Sequence, residues 1–238
     1  MNSINSTLRI FTEDPYKTEI EATIVDLQQN KDLFNIFLDK TIFYPEGGGQ
    51  PSDLGTIEGT GGVATIKYVR SDGDIVIHQC TIKGQLNIEN KVVCKLDWKY
   101  RFNNMKAQTG GHIVHDAVMQ TVRDVKPLRG SHGKKSYIEY QGIIDEKVIG
   151  KIQGKVDSII KEDRDIITEL ISFNELAKRC SFVPNLPKNR PLRIVTISGF
   201  EPVPCGGTHL RKTGEIEKLS ITGITVSDNH SIVKYKTY

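Results

Sequence analysis

Residues 103–125, NNMKAQTGGHIVHDAVMQTVRDV, mark the point where the hydrophobic period of this chain changes. Met105, Ile113, Val118 and Val122 fall at helical spacing, and Pro127 lies just beyond, so the stretch predicts a helix. Upstream, from Thr18 to about Asp97, segments such as EIEATIVDL, LFNIFLD, GVATIKYV, DIVIHQCTI and KVVCKLDW read as short strands separated by Gly, Asp and Asn turns. The first part is therefore a small barrel or sandwich, residues 1–98, and a second domain, residues 99–238, opens with the helix.

Downstream the order is mixed. SYIEYQG reads as a strand, about Asp145 to Lys161 as a helix, DIITELI as β-rich and FNELAKR as a short helix. RIVTISGF reads as a buried strand, followed by the loop EPVPCGGTHLRKTG and the strands KLSITGITVS and HSIVKYKTY. The expected class is α+β.

Composition limits the partners. A net charge of +3 over 238 residues permits a polyanion without requiring one, so local basic clusters must decide. No apolar run is long enough to cross a bilayer, and MNSINSTLRIFTEDPYK lacks the layout of a signal peptide, so no membrane partner and a cytoplasmic location are expected. In that reducing compartment the scattered Cys80, Cys94, Cys180 and Cys205 point to thiols or a metal ligand rather than disulfides.

Three stretches carry candidate chemistry. CGGTH, residues 205–209, spaces a thiol and an imidazole four apart across a glycine turn, donors that zinc favours, although a buried Cys beside a surface His fits the same letters. In QTGGHIVH, residues 108–115, helical geometry puts Gln108, His112 and His115 on one face; the alternative is a helix with two ordinary histidines. Two glycines inside a helix are costly and call for a close approach, such as by a substrate. The third stretch, FYPEGGGQPSD at 43–53, is equally a tight turn between strands or a binding loop.

LDWKYRFNNMKAQTGGHIVHDAV, PCGGTHLRKTGEI and FYPEGGGQPSDLG, in this chain order, closely resemble the AlaX family, the free-standing relatives of the alanyl-tRNA synthetase editing domain. The resemblance implies a small N-terminal β-barrel followed by a two-layer α/β editing domain of the threonyl/alanyl-tRNA synthetase type. It also implies a hydrolase that deacylates mischarged tRNA(Ala), chiefly Ser-tRNA(Ala), with one zinc ion per chain and no nucleotide cofactor. The family's four metal positions fall on Gln108, His112, Cys205 and His209. Gln108 stands where the family has histidine, and a carbonyl oxygen is a weaker zinc donor. That leaves His112, Cys205 and His209 as ligands, with Gln108 expected to position a water, and His115 one turn away as a substitute donor.

Thr109 matches the family's threonine and is the expected partner for the serine hydroxyl, with a back-bond to its own helix as the alternative. The resemblance turns Gly47, Gly48 and Gly49, with Gln50 and Asp53, toward the acceptor end of the tRNA. Arg123, Lys126, Arg129, Lys134 and Lys135 in a turn-rich segment, with Lys188, Arg190 and Arg193, are candidate phosphate contacts; Arg129, Lys134 and Lys135 are the favoured ones. The rival function is a tRNA-binding protein whose deacylase activity is weakened or lost through Gln108. Neither the general base nor the choice between monomer and homodimer follows from these residues.

Overall fold

The computed structural model describes residues 6–180 and 186–238. The chain divides into two compact units, Met1–Asn104 and Met105–Tyr238.

The first unit is built on β1 (Leu8–Arg9), β2 (Glu19–Asn30), β3 (Leu33–Leu38), β4 (Lys40–Thr41), β5 (Gly55–Gly59), β6 (Gly62–Asp72), β7 (Ile75–Gly84) and β8 (Lys91–Leu96). Six of these close into a barrel in the order β2-β3-β7-β6-β5-β8, every pair antiparallel. Closure removes the open sheet edges. The alternating residues Ile24, Ile36, Leu38, Ile57, Ile66 and Val92 fill the interior. β5 carries no strand signal of its own, since GTIEG is short and glycine-flanked. A side chain at Gly55 would meet the Lys95 carbonyl oxygen at 2.2 Å, so only glycine lets β5 approach β8 there.

In 43–53, Gly47 and Gln50 exchange two backbone hydrogen bonds of 3.2 and 3.0 Å around Gly48 (φ +57°) and Gly49 (φ +79°). Two successive positive φ values make this a type I′ turn, which glycine forms without strain. Its tip is exposed, whereas Gln50 and Asp53 are fully buried. Asp53 forms a buried ion pair with Arg101 and accepts from the Tyr44 amide at 2.6 Å. Arg101 also donates to the carbonyls of Pro15 (2.8 Å) and Ile42 (2.6 Å). Asp53, expected among the substrate contacts, has its carboxylate tied to Arg101 in the first turn of the helix that follows.

That helix, α1 (Trp98–Met119), begins and ends earlier than its apolar spacing predicts. Asp97 sets the start by accepting from the Tyr100 amide at 3.0 Å. After Met119 the backbone turns, with Asp124 at φ +61°, into β9 (Lys126–Ser131). The segment expected to be turn-rich is thus partly strand. β9 is an edge, where Pro127 is tolerated and no apolar alternation is needed.

The second unit continues with β10 (Ser136–Gln141), α2 (Ile149–Lys161), β11 (Ile166–Ile171), α3 (Phe173–Arg179), β12 (Leu192–Ile197), β13 (Val203–Pro204), β14 (Leu219–Ser227) and β15 (His230–Thr237). A four-stranded antiparallel sheet runs β14-β15-β10-β9, and a three-stranded one runs β11-β12-β13. Ile152, Val156 and Ile159 form the buried stripe of α2, and its Gln153 bonds the backbone of β14 at Leu219 and Ile221.

The two helical glycines now have their cause. A Cβ on Gly110 would sit 2.8 Å from Leu219, and one on Gly111 would sit 2.4 Å from the His132 ring and 2.9 Å from the Tyr235 hydroxyl. The close approach comes from the protein's own sheet and from His132 instead of a substrate. Tyr235 donates to the Ala107 carbonyl at 2.8 Å and meets His132 Nδ1 at 2.5 Å, fixing this turn of α1.

Candidate metal centre

The middle of α1 and the loop after β13 meet within the second unit. His112 is on α1; Cys205 and His209 are on the loop, and their donor atoms all lie within 4.8 Å of one another. Among the described residues this is the one group of three or more His, Cys, Asp or Glu with such convergence. Cys205 Sγ is 3.3 Å from His209 Nε2, and the His112 and His209 rings stand nearly perpendicular at 4.6 Å. Tetrahedral zinc with N and S ligands spaces its donors by about 3.3–3.8 Å. The Cys205–His209 pair lies in that range, and the His/Cys/His group as a whole fits a metal site.

Burial tunes these groups. His112 is pushed down to about 3 and His209 well below the usual imidazole range, first by burial and then by the nearby histidines and Arg193. Both imidazoles are thereby neutral, the form that ligates. Burial alone pushes the Cys205 thiol up, and the Gly207 amide, the Gln108 amide and Arg193 oppose that rise by favouring the thiolate.

Gln108 is buried with its Nε2 donating to Cys205 Sγ at 3.1 Å, while its Oε1 has no hydrogen-bond partner. Its side chain lies flat on Gly207, where a Cβ would come within 2.8 Å of the amide carbon and nitrogen. Thr109 is fully buried: its Oγ1 accepts from the Leu210 amide at 3.1 Å and lies 3.2 Å from His209 Nδ1. The Thr109 hydroxyl thus contacts a histidine of the three converging donors.

The remaining candidates are placed elsewhere. His115 stacks on Tyr140, its Nδ1 3.4 Å from the phenol oxygen, and is not one of the three converging donors. Arg129 is exposed and paired with Glu139 at 2.6 Å. Lys134 and Lys135 are exposed in the turn between β9 and β10. Arg193, taken from sequence as a phosphate contact, instead donates from Nη1 to the carbonyls of Cys205 and Gly207, both at 2.8 Å. His132 and Tyr235 went unnoticed in the sequence. The signal was present in Gly110 and Gly111, which require large partners from distant segments.

Comparison with known proteins covers both units. Residues 6–100 match the family described as tRNA synthetases class II (A), and residues 192–234 match the threonyl and alanyl tRNA synthetase second additional domain. The chain is 34% identical over 221 residues to the alanyl-tRNA editing protein AlaX-L of Pyrococcus horikoshii, across 90% of this chain and 53% of that protein. It is 30% identical to the alanine–tRNA ligase of Ignicoccus hospitalis and 28% identical to that of Pyrobaculum calidifontis, across 90% of this chain in each case. The matches cover 24% and 25% of the two ligases, so the chain spans about half of the editing protein and about a quarter of each ligase.

Proposed function

Since this chain belongs to the AlaX family of alanyl-tRNA editing proteins, we propose that it deacylates mischarged tRNA(Ala), chiefly Ser-tRNA(Ala), with one zinc ion held by His112, Cys205 and His209. The observation carrying this reading is the convergence of three donors from two distant motifs within 4.8 Å. A purely structural zinc site would close with four strong ligands, whereas here the fourth family position is an amide.

The residues around the trio divide the work. A bound zinc supplies fixed positive charge for the ester carbonyl, or for ordering a water and the substrate's amino group. With His209 Nε2, which faces Cys205, left to a metal, Nδ1 would carry the proton and Thr109 would accept from it. The Gly207 amide, at 3.4 Å, and the Gln108 amide donate to the sulfur and hold it as an acceptor. With Gln108 in the place of an imidazole, a bound zinc would keep room for a water, from which the unpartnered Gln108 oxygen would accept.

For the substrate's remaining parts, the exposed Gly48–Gly49 turn next to Gly47 offers backbone groups to the acceptor end, and Lys134 and Lys135 meet phosphates as a cluster with Arg129. Gln50 and Asp53 lie buried at the base of that turn, Asp53 bonding the Tyr44 amide.

The test is release of serine from Ser-tRNA(Ala) by purified protein, with and without a chelator, beside Ala-tRNA(Ala). Hydrolysis selective for the seryl ester and abolished by the chelator is expected. Retained tRNA binding with no hydrolysis after zinc is restored would replace this function with the binding-protein reading.

A further inference from the structure

The loop that brings Cys205 to His209 contains Gly206 and Gly207, two residues whose backbone freedom leaves the spacing of the donors unfixed by the local sequence. Something outside the loop must curl it. Arg193, on β12, does so from both its backbone and its side chain: its carbonyl accepts from the Cys205 amide at 3.1 Å, and its Nη1 donates to the Cys205 and Gly207 carbonyls at 2.8 Å each. One planar, always charged group thus turns two carbonyls toward itself. The Cys205 side chain and the Gly207 amide are left on the sulfur side, with Sγ 3.4 Å from the Gly207 nitrogen and 3.3 Å from His209 Nε2.

We propose that Arg193 is the positioning residue of the metal loop, holding the Cys205–His209 turn in its metal-binding shape, and that it is not a phosphate contact. The inference rests on the zinc-site reading given above and deepens it. Lysine would keep the charge but, with a single nitrogen on a flexible stem, would lack the rigid planar fork.

The experiment compares wild type, Arg193→Lys and Arg193→Met as full chains. Zinc affinity is measured by chelator competition, the sulfur-to-metal charge-transfer band with bound cobalt(II), thermal unfolding with and without zinc, and tRNA(Ala) affinity across a salt series. Arg193→Met is expected to lose about 10- to 100-fold in zinc affinity, as removal of an outer-shell partner typically does. The cobalt band should weaken, the extra thermal stability given by zinc should shrink, and tRNA affinity and its salt slope should not change. Arg193→Lys should recover part of the zinc affinity.

Unchanged zinc affinity, or a fall in tRNA affinity with a shallower salt slope, would overturn the proposal, and so would wild-type protein that binds no zinc. If the methionine variant does not fold, the lysine variant gives the same comparison. Wild type that binds zinc but hydrolyses no ester would defeat the proposed function while leaving this inference decided by zinc affinity alone.

Discussion

The hydroxyl oxygen of Thr109 lies 3.2 Å from Nδ1 of His209 and also accepts from the Leu210 amide, so one buried side chain of α1 locks both the ring and the backbone of the metal loop. Thr109→Val keeps the shape but removes that acceptor and leaves the Leu210 amide unsatisfied. Zinc affinity should fall about 10- to 100-fold, while Thr109→Ser should stay near wild type. Chelator competition measures both; equal affinity for the valine variant would remove Thr109 from the metal site.

Gln108→His replaces a weak neutral donor with the imidazole that the resemblance to the AlaX family places at this position. Zinc should bind at least about tenfold more tightly, because a fourth strong ligand closes the site. Ester hydrolysis should persist, since the resemblance places histidine at this position in deacylases of the family. Competition titration and single-turnover kinetics on one preparation test the two halves, and weaker zinc binding by the histidine variant would contradict the assignment.

At Gly111 the gain in helix propensity from alanine, about 1 kcal/mol, competes with a Cβ placed 2.4 Å from the His132 ring. Overpacking costs about 1–3 kcal/mol, so Gly111→Ala should be net destabilising. Adding His132→Ala should recover part of the loss. Denaturant unfolding of the single and double variants measures this; a stabilised single variant would show that the ring moves freely.

Asp53 and Arg101 are both fully buried and paired. Asp53→Ala leaves a buried guanidinium without its counter-ion, at about 3–5 kcal/mol. Unfolding of the full chain should shift accordingly, with zinc affinity unchanged. A variant of normal stability with impaired ester hydrolysis would return Asp53 to the substrate side.

His78, inside the barrel, bonds the Ile36 carbonyl and the Thr41 hydroxyl and is pushed down to about 4 by burial. Its unfolded counterpart titrates near 6.5, so the unfolded chain takes up a proton that the folded chain refuses. Stability is full above about pH 6.5 and falls as the pH drops toward 4, by up to about 3 kcal/mol. Chemical denaturation between pH 7 and 4.5 should show that loss, and His78→Gln should reduce it by the His78 share, leaving the share of the other buried histidines such as His112 and His209.

Much of this molecule was legible because its signals are local. Strand alternation marked β2, β3, β6, β7 and β8, and the helical period marked α1, but β5 and β9 were missed. Neither carries alternation: β5 is glycine-flanked and needs its bare backbone against Lys95, and β9 is an edge strand containing Pro127. The ends of α1 were also misplaced, since apolar spacing continues through Val122 while the backbone has already turned.

The site divides in the same way. The kinds of donor and their spacing within each motif, His112 on a helix and Cys-x-x-x-His on a glycine loop, are properties of short stretches and were fixed by the letters alone. Roles that depend on a partner far along the chain were not: Thr109 against His209, Arg193 against Cys205 and Gly207, Gly111 against His132, Asp53 against Arg101. An arginine, a threonine or an aspartate has the same chemistry on a surface as in a buried network. Only the tertiary structure removes water from one and supplies its partner, and that exchange decides whether the group binds a substrate or holds the protein's own loop in place.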